Sequence, residues 1–218
     1  MADIQNSLNQ MAKGAGILLV GAMLAKVINY FYRGYLARQL TVSDFGLFNL
    51  AVMIITFVVA LATIGMESGL NRYVPYYRGL GDKKKVEGVI YFSVITTLIF
   101  SILMTGGIFI FAKPLSSLFE NASSLVTLLM ILAISIPFTV VGMRMLLNCL
   151  LYLRYVKEYS YLFNILQHVV RLALTIILVY FGFGLFGAGL AYTFSAVVIG
   201  LYSFYIFKSK HKLQKAEF

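Results

Sequence analysis

Residues 14–40 read GAGILLVGAMLAKVINYFYRGYLARQL, and how this stretch is understood decides the fold. It is apolar and exceeds the ~20 residues that carry a helix across a bilayer. Yet Lys26 and Arg33 sit in its interior. A charged side chain at the centre of a membrane helix costs roughly 2.5–3.5 kcal/mol on insertion scales. The i, i+7 spacing places both cations on one helix face, with Asn29 and Tyr30 between them on nearly the same face. A helix with one cationic, hydrogen-bonding seam is expected to turn that seam toward protein or a water-filled cavity.

Working outward, five more apolar runs follow. Spans are expected at about 14–38, 45–66, 88–112, 124–147, 160–181 and 185–207. The 218-residue chain is 61% hydrophobic and 12% charged, with a mean hydropathy of +0.88, against about 25% charged residues in a soluble domain. The expected fold is therefore all-α: a polytopic membrane protein whose six transmembrane helices form one bundle over 14–207. In residues 1–13, Ile4, Leu8 and Met11 recur at helical spacing, which fits a short interfacial helix. Residues 208–218 read as a basic tail. The first apolar segment is too long and too charged for a cleavable signal peptide, and no small-x-small site follows it.

The links carry their own signals. In QLTVSD, Ser43 or Asp44 is expected to cap a helix starting near Phe45. The second span is expected to continue as helix to about Tyr73 and to end before Pro75. The third should stop at Lys113-Pro114. Pro137, inside the fourth span, should kink it. FGFGLFG, from Phe181, reads as a tight glycine turn.

The net charge of +10 raises the question of nucleic acid. The basic residues cluster in short links between apolar runs, which is the positive-inside pattern and no groove-tracking stripe. No nucleic-acid partner is expected. The N-terminal, second, fourth and final links, with Arg144 counted in the fourth, hold 13 of the 18 lysines and arginines. That bias points to a cell (cytoplasmic) membrane protein with both ends cytoplasmic. The single cysteine, Cys149, lies in an apolar run and reads as a small core hydrophobe.

Three spans carry polar stripes. On the fifth, Asn164, Gln167, His168, Arg171 and Thr175 follow i, i+3, i+4, i+7, i+11. On the second, Asn49, Thr56, Thr63, Glu67 and Asn71 fall within a narrow angular range. The first contributes Lys26, Asn29, Tyr30 and Arg33. Blander roles compete. Arg33 has the reach to snorkel to the nearer interface, and Lys26 could pair with Glu67 as a structural bridge. His168 more often serves as an interhelical hydrogen bonder than as a proton relay, and Thr and Ser as helix–helix glue. Arg171 is hardest to dismiss, being near mid-membrane. Three cations (Lys26, Arg33, Arg171) then face one obvious anion, Glu67. An anionic substrate group such as a phosphate is the natural missing partner.

Other chemistry is missing from the sequence. There is no GxxxxGK[ST] loop, HExxH or GxSxG. Two histidines and one cysteine, far apart, make no standard zinc cluster, so neither metal nor cofactor is expected. Carboxylates are too few and dispersed for glycosidase-type pairs. Nothing points to an enzyme.

The order of residues from Tyr32 to Gly79 is more telling: YRGYLARQLTVSDFGLFNLAVMIITFVVALATIGMESGLNRYVPYYRG. A first-span arginine, an ARxL-type end, a short acidic link with FG, an apolar span and an N-R-Y-V end resemble the polysaccharide exporter branch of the multidrug/oligosaccharidyl-lipid/polysaccharide exporter superfamily, the flippases of lipid-linked oligosaccharides. Six spans and these link lengths look like the first half of such a protein. The resemblance implies two six-helix bundles around a central cavity, moving a polyprenyl-pyrophosphate-linked saccharide across the membrane by alternating access without ATP. It also implies that cavity arginines hold the diphosphate, and Arg33 and Arg72 match cations of that pattern. Lys26, Asn29 and Arg171 join them from the stripes alone, as do Glu67 and His168 as candidate groups for proton or ion coupling. The expected partners are membrane lipid, the anionic lipid-linked substrate, and a second six-helix bundle supplied by further sequence or another subunit. Two rival readings are a drug or cation exporter of the same superfamily, which needs acidic cavity residues, and a non-transporting structural half-protein.

Overall fold

The structure, a computed structural model, describes the backbone of residues 2–117, 122–153 and 155–216 and the side chains of 12–117, 123–153 and 155–209. The helices are α1 (Ala2–Gln39), α2 (Val42–Thr63), α3 (Met66–Gly79), α4 (Lys83–Ser116), α5 (Ala122–Ala133), α6 (Ser135–Pro137), α7 (Leu147–Tyr152), α8 (Val156–Ser160), α9 (Gln167–Tyr180) and α10 (Gly184–Ala216). Two π-helical segments, Phe138–Leu146 and Tyr161–Leu166, join α6 to α7 and α8 to α9. There is no strand among the described residues.

Six helical stretches are long and apolar enough to cross a membrane: Ala12–Gln39, Val42–Thr63, Lys83–Ser116, Ser123–Tyr152, Val156–Tyr180 and Gly184–Ser209. The chain is an all-α, multi-pass membrane protein. The fourth and sixth spans are the most enclosed. Apolar surface alone does not hold helices together in lipid, so close backbone approach and interhelical hydrogen bonds must contribute. Gly142 of the fourth span and Gly200 of the sixth supply the first. A Cβ on Gly142 would overlap the Gly200 backbone, and one on Gly200 would lie 3.0 Å from Phe138 Cβ. Thr193 Oγ1 supplies the second, donating to the Ile131 carbonyl at 2.9 Å. Around this pair, Leu125, Leu129, Leu132 and Ile136 pack against Ile55 and Val59 of the second span.

At Pro137 the α-helix is interrupted and a carbonyl is freed. Proline has no N–H for the carbonyl four residues earlier, Ala133. The α-helix ends at Ala133, and that carbonyl lies 3.5 Å from the Thr105 hydroxyl on the third span, which donates to it. The glycine turn holds. Gly182 has φ +86° and Gly184 φ +48°, and Phe183 N–H donates to the Leu178 carbonyl at 3.2 Å, closing a Schellman-type end. Cys149 is buried in the core.

Other local expectations are corrected. Thr41, not Ser43 or Asp44, caps α2: its hydroxyl accepts from Asp44 N–H at 3.1 Å and donates to the Asp44 carboxylate at 2.8 Å. This reciprocal pair makes Asp44, the third residue of the helix, the partner of the cap, a variant of the capping box. The second span does not run on unbroken to Tyr73. It stops at Ile64 (φ +45°, ψ +39°) and Gly65 (φ +69°), and α3 restarts at Met66. A β-branched residue in the left-handed region is a genuine outlier, and it separates the two halves of the second stripe. Pro75 lies inside α3, which continues to Gly79, and Pro114 lies inside α4. The described helix α1 begins at Ala2, so the backbone before Ala12 continues the same helix ahead of the first span and forms no separate one. The side chains of Ile4, Leu8 and Met11, Arg154, the centre of the 118–121 link and the tail side chains beyond 209 lie outside the described residues.

Candidate functional site

The first span lies along the fifth and meets the second only slightly. The two helices run parallel. Ser160 Oγ donates to the Ile17 carbonyl at 3.2 Å, and a Cβ on Gly21 would overlap Ser160 Oγ and stand 2.9 Å from Asn164 Nδ2. The contact face of the first span is thus Gly21, Ala25, Tyr32 and Leu36, all buried and at helical spacing. Small residues at 21 and 25 let the backbones approach.

That choice of face places the predicted cations. Lys26 and Arg33 each follow a buried residue by one position, a step of about 100° around the helix. Both are exposed, Tyr30 is 75% exposed, and Asn29 is half-buried. The expectation that this seam turns inward is corrected for the bundle as it stands: the small-residue face wins the contact, and the cations lie on its uncovered flank.

The fifth span does turn its stripe inward. Thr175 is fully buried, and Asn164 and Gln167 are nearly so. Arg171 lies at the junction of the first, fifth and sixth spans. Its guanidinium stands 4.2 Å from the centroid of the Tyr192 ring. Its Nε lies 3.5 Å from Ser195 Oγ. With the Gln167 amide oriented to satisfy both of its ends, the Gln167 oxygen accepts from Arg171 Nη2 at 3.0 Å and its nitrogen donates to the Phe163 carbonyl at 3.2 Å. All these contacts are neutral. Two groups beside Arg171 make no hydrogen bond of good geometry. The Tyr32 hydroxyl, on a side chain 7% exposed, neighbours Thr175, Tyr192 and Arg171 but makes no hydrogen bond of good geometry. Thr175 instead donates to the Arg171 carbonyl at 2.8 Å. His168 Nδ1 is likewise buried, close to the backbone of Phe163 and Asn164 in the preceding turn but without a hydrogen bond of good geometry. An unmet buried hydroxyl costs about 1–3 kcal/mol, so its persistence beside a guanidinium calls for an explanation.

Glu67 belongs to a different cluster. It does not bridge to Lys26. Its Oε1 lies 3.4 Å from Arg144 Nη1, with both side chains about a third exposed. Arg144 is therefore not a link residue. It stands in the π-helical part of the fourth span, and Tyr152 and Tyr159 flank the pair. The rest of the second-span stripe serves its own helix: Asn49, Thr56 and Thr63 donate to the carbonyls of Phe45, Val52 and Ala60. Arg72 is exposed on α3, its guanidinium 5.8 Å from the Tyr73 ring.

The structure thus gathers Arg171, Gln167, His168 and Thr175 with Tyr32, Tyr192 and Ser195, while Arg33, next to Tyr32 in the chain, stays exposed on the neighbouring flank. It leaves Lys26 and Arg72 apart from that cluster. Tyr32, Tyr192, Ser195 and Arg144 were absent from the sequence-based site. The i, i+3 spacing of Tyr192 and Ser195 was readable, but nothing marked that face as the one meeting Arg171. Among the described residues, no group of histidines, cysteines and carboxylates is arranged to hold a metal ion.

A family model described as "Polysaccharide biosynthesis protein" matches residues 11–218. Comparison with curated proteins and with solved structures gives no match.

Proposed function

For this chain, a member of the polysaccharide biosynthesis protein family, we propose a flippase-type role: moving a polyprenyl-pyrophosphate-linked oligosaccharide across the cytoplasmic membrane. One observation carries the reading. Arg171 sits between spans with neutral contacts only, beside a buried tyrosine hydroxyl that makes no well-formed hydrogen bond. A guanidinium and a hydroxyl converging on one place are complementary to a phosphate oxygen.

The remaining cations fit the same scheme. Lys26, Asn29 and Arg33 lie on the uncovered flank of the first span, where a second six-helix bundle would close a cavity over them. Arg72, at the far end of the second hydrophobic segment, would meet the headgroup on its way in or out. His168, next to Arg171, is the group best placed to couple a proton to that movement. Both chain ends are proposed to be cytoplasmic, from the distribution of lysines and arginines. Glu67, the sole carboxylate of the stripes, is engaged by Arg144, which weighs against a cation exporter.

The test is export of surface polysaccharide by cells that depend on this chain, with Arg33→Ala and Arg171→Ala introduced singly. Loss of export at unchanged protein level supports the role. Full export from both variants removes it.

A further inference from the structure

At the opposite end of the joint between the first and fifth spans lies an outward-opening groove of about 590 Å³. Its walls include Ile17, Val20, Leu24 and Ile165, and the only charged residues lining it among the described residues are Lys13 and Lys157. Both lysines are exposed. They stand at the first turns of two parallel spans and hence at the same level in the membrane. Two hydroxyl residues line it: Ser160 already donates to the Ile17 carbonyl, and Tyr161 is half-exposed. The groove therefore offers an apolar trough with two ammonium groups at one end and no carboxylate among its described lining residues.

That is the complement of an amphiphile with a negative head. Long lysine stems reach along apolar surface while the ammonium meets a phosphate, and juxtamembrane lysines gain free energy from anionic lipid. The polar cluster around Tyr32 and Arg171 is a different place. Tyr32 lies about 28 Å along the helix from Lys13, and Arg171 about 21 Å from Lys157, at 1.5 Å per residue. We infer that this groove holds one anionic phospholipid of the bilayer, its phosphate between Lys13 and Lys157 and an acyl chain against Ile17, Val20 and Leu24. The inference is independent of whether the chain moves a saccharide lipid.

Native mass spectrometry of the whole chain, released from nanodiscs of equal parts phosphatidylglycerol and phosphatidylcholine, tests it. One phosphatidylglycerol should stay bound in preference to phosphatidylcholine. The double variant Lys13→Gln/Lys157→Gln should lower that retention by about 30-fold, the worth of two surface lysines. Gly16→Phe should abolish it by filling the trough. A Cβ at Gly16 meets nothing within 4 Å, so thermal unfolding should be unchanged. Equal retention of both lipids by the unaltered chain overturns the inference, and so does undiminished phosphatidylglycerol retention in the two variants. Displacement of phosphatidylglycerol by an equimolar polyprenyl pyrophosphate would assign the groove to that lipid instead, and would also overturn it.

Discussion

The first and fifth spans lie side by side, and each carries cations in an apolar helix, but they resolve the cost differently. The fifth buries its stripe: Arg171 is wrapped by Gln167, Ser195 and the Tyr192 ring. The first buries the neighbouring face and leaves Lys26 and Arg33 uncovered. The difference lies in what surrounds each cation. Arg171 has partners in its own stripe and on the sixth span. In the first span the face with the smallest side chains, at Gly21 and Ala25, permits the closest approach, and packing selects it. A charged stripe therefore marks a surface that must be satisfied, without saying by which neighbour.

Experiments can break or sharpen this contrast. The largest effect is expected at the buried cation. Arg171→Ala should reduce export by roughly 10–100-fold, the equivalent of about 1.5–3 kcal/mol for a charge-assisted contact. Arg171→Lys should recover only part of it, because a lysine lacks the fork that meets Gln167 and Ser195 together. Export assays at matched protein level give the comparison. Full recovery by lysine would mean that charge alone matters there.

Next comes the joint itself. Gly21→Leu should destabilise the chain by about 1–3 kcal/mol through overpacking against Ser160 and Asn164. Gly16→Leu, one turn away with open space around it, should stay within about 0.5 kcal/mol of the parent. Thermal unfolding in detergent separates them. Equal stability of the two variants would refute this packing of the first span on the fifth.

A subtler probe lies between the two spans. Tyr32→Phe removes a hydroxyl that makes no well-formed hydrogen bond. Stability should hold or rise, by less than about 1–3 kcal/mol, while export falls. A stability loss with normal export would show that the hydroxyl serves the fold and not a ligand.

The smallest effect is expected outside both spans, at the cap of α4. Asp82 accepts from Lys85 N–H at 3.1 Å and pairs with its ammonium at 3.1 Å. These two bonds hold its carboxyl below the ordinary 3.8. A depressed folded value means the cap's contribution is present above the unfolded value and lost as the pH falls through the folded one. Protection of the 83–86 amides from exchange should therefore weaken below about pH 4. In Asp82→Asn that acid step should vanish, and its persistence would assign it to another group. The pair lies at the surface, with Lys85 exposed and Asp82 partly so, so the change should be slight.

Much of the architecture was legible from composition and spacing. Six apolar runs gave six spans, and Pro137 and Gly182 marked the break and the turn that the structure contains. The fifth-span stripe was readable because one helix face carried all five polar residues. The break after Thr63 was not, since Ile64 favours neither a turn nor a left-handed backbone. Nor was Arg144: a basic residue near the end of an apolar run looks like a link until the following π-helical and α-helical turns carry the span on to Tyr152.

Hydropathy and helical periodicity are local properties, so the chain's residues were enough to establish a six-span helical membrane protein with too many intramembrane cations. Which face of each helix meets which neighbour depends on side chains far apart in the chain. Glu67 with Arg144, and Tyr32 with Arg171 and Tyr192, came together only when the backbones packed at Gly21, Gly142 and Gly200. Close approach between helices is a pairwise property, and no single helix carries it.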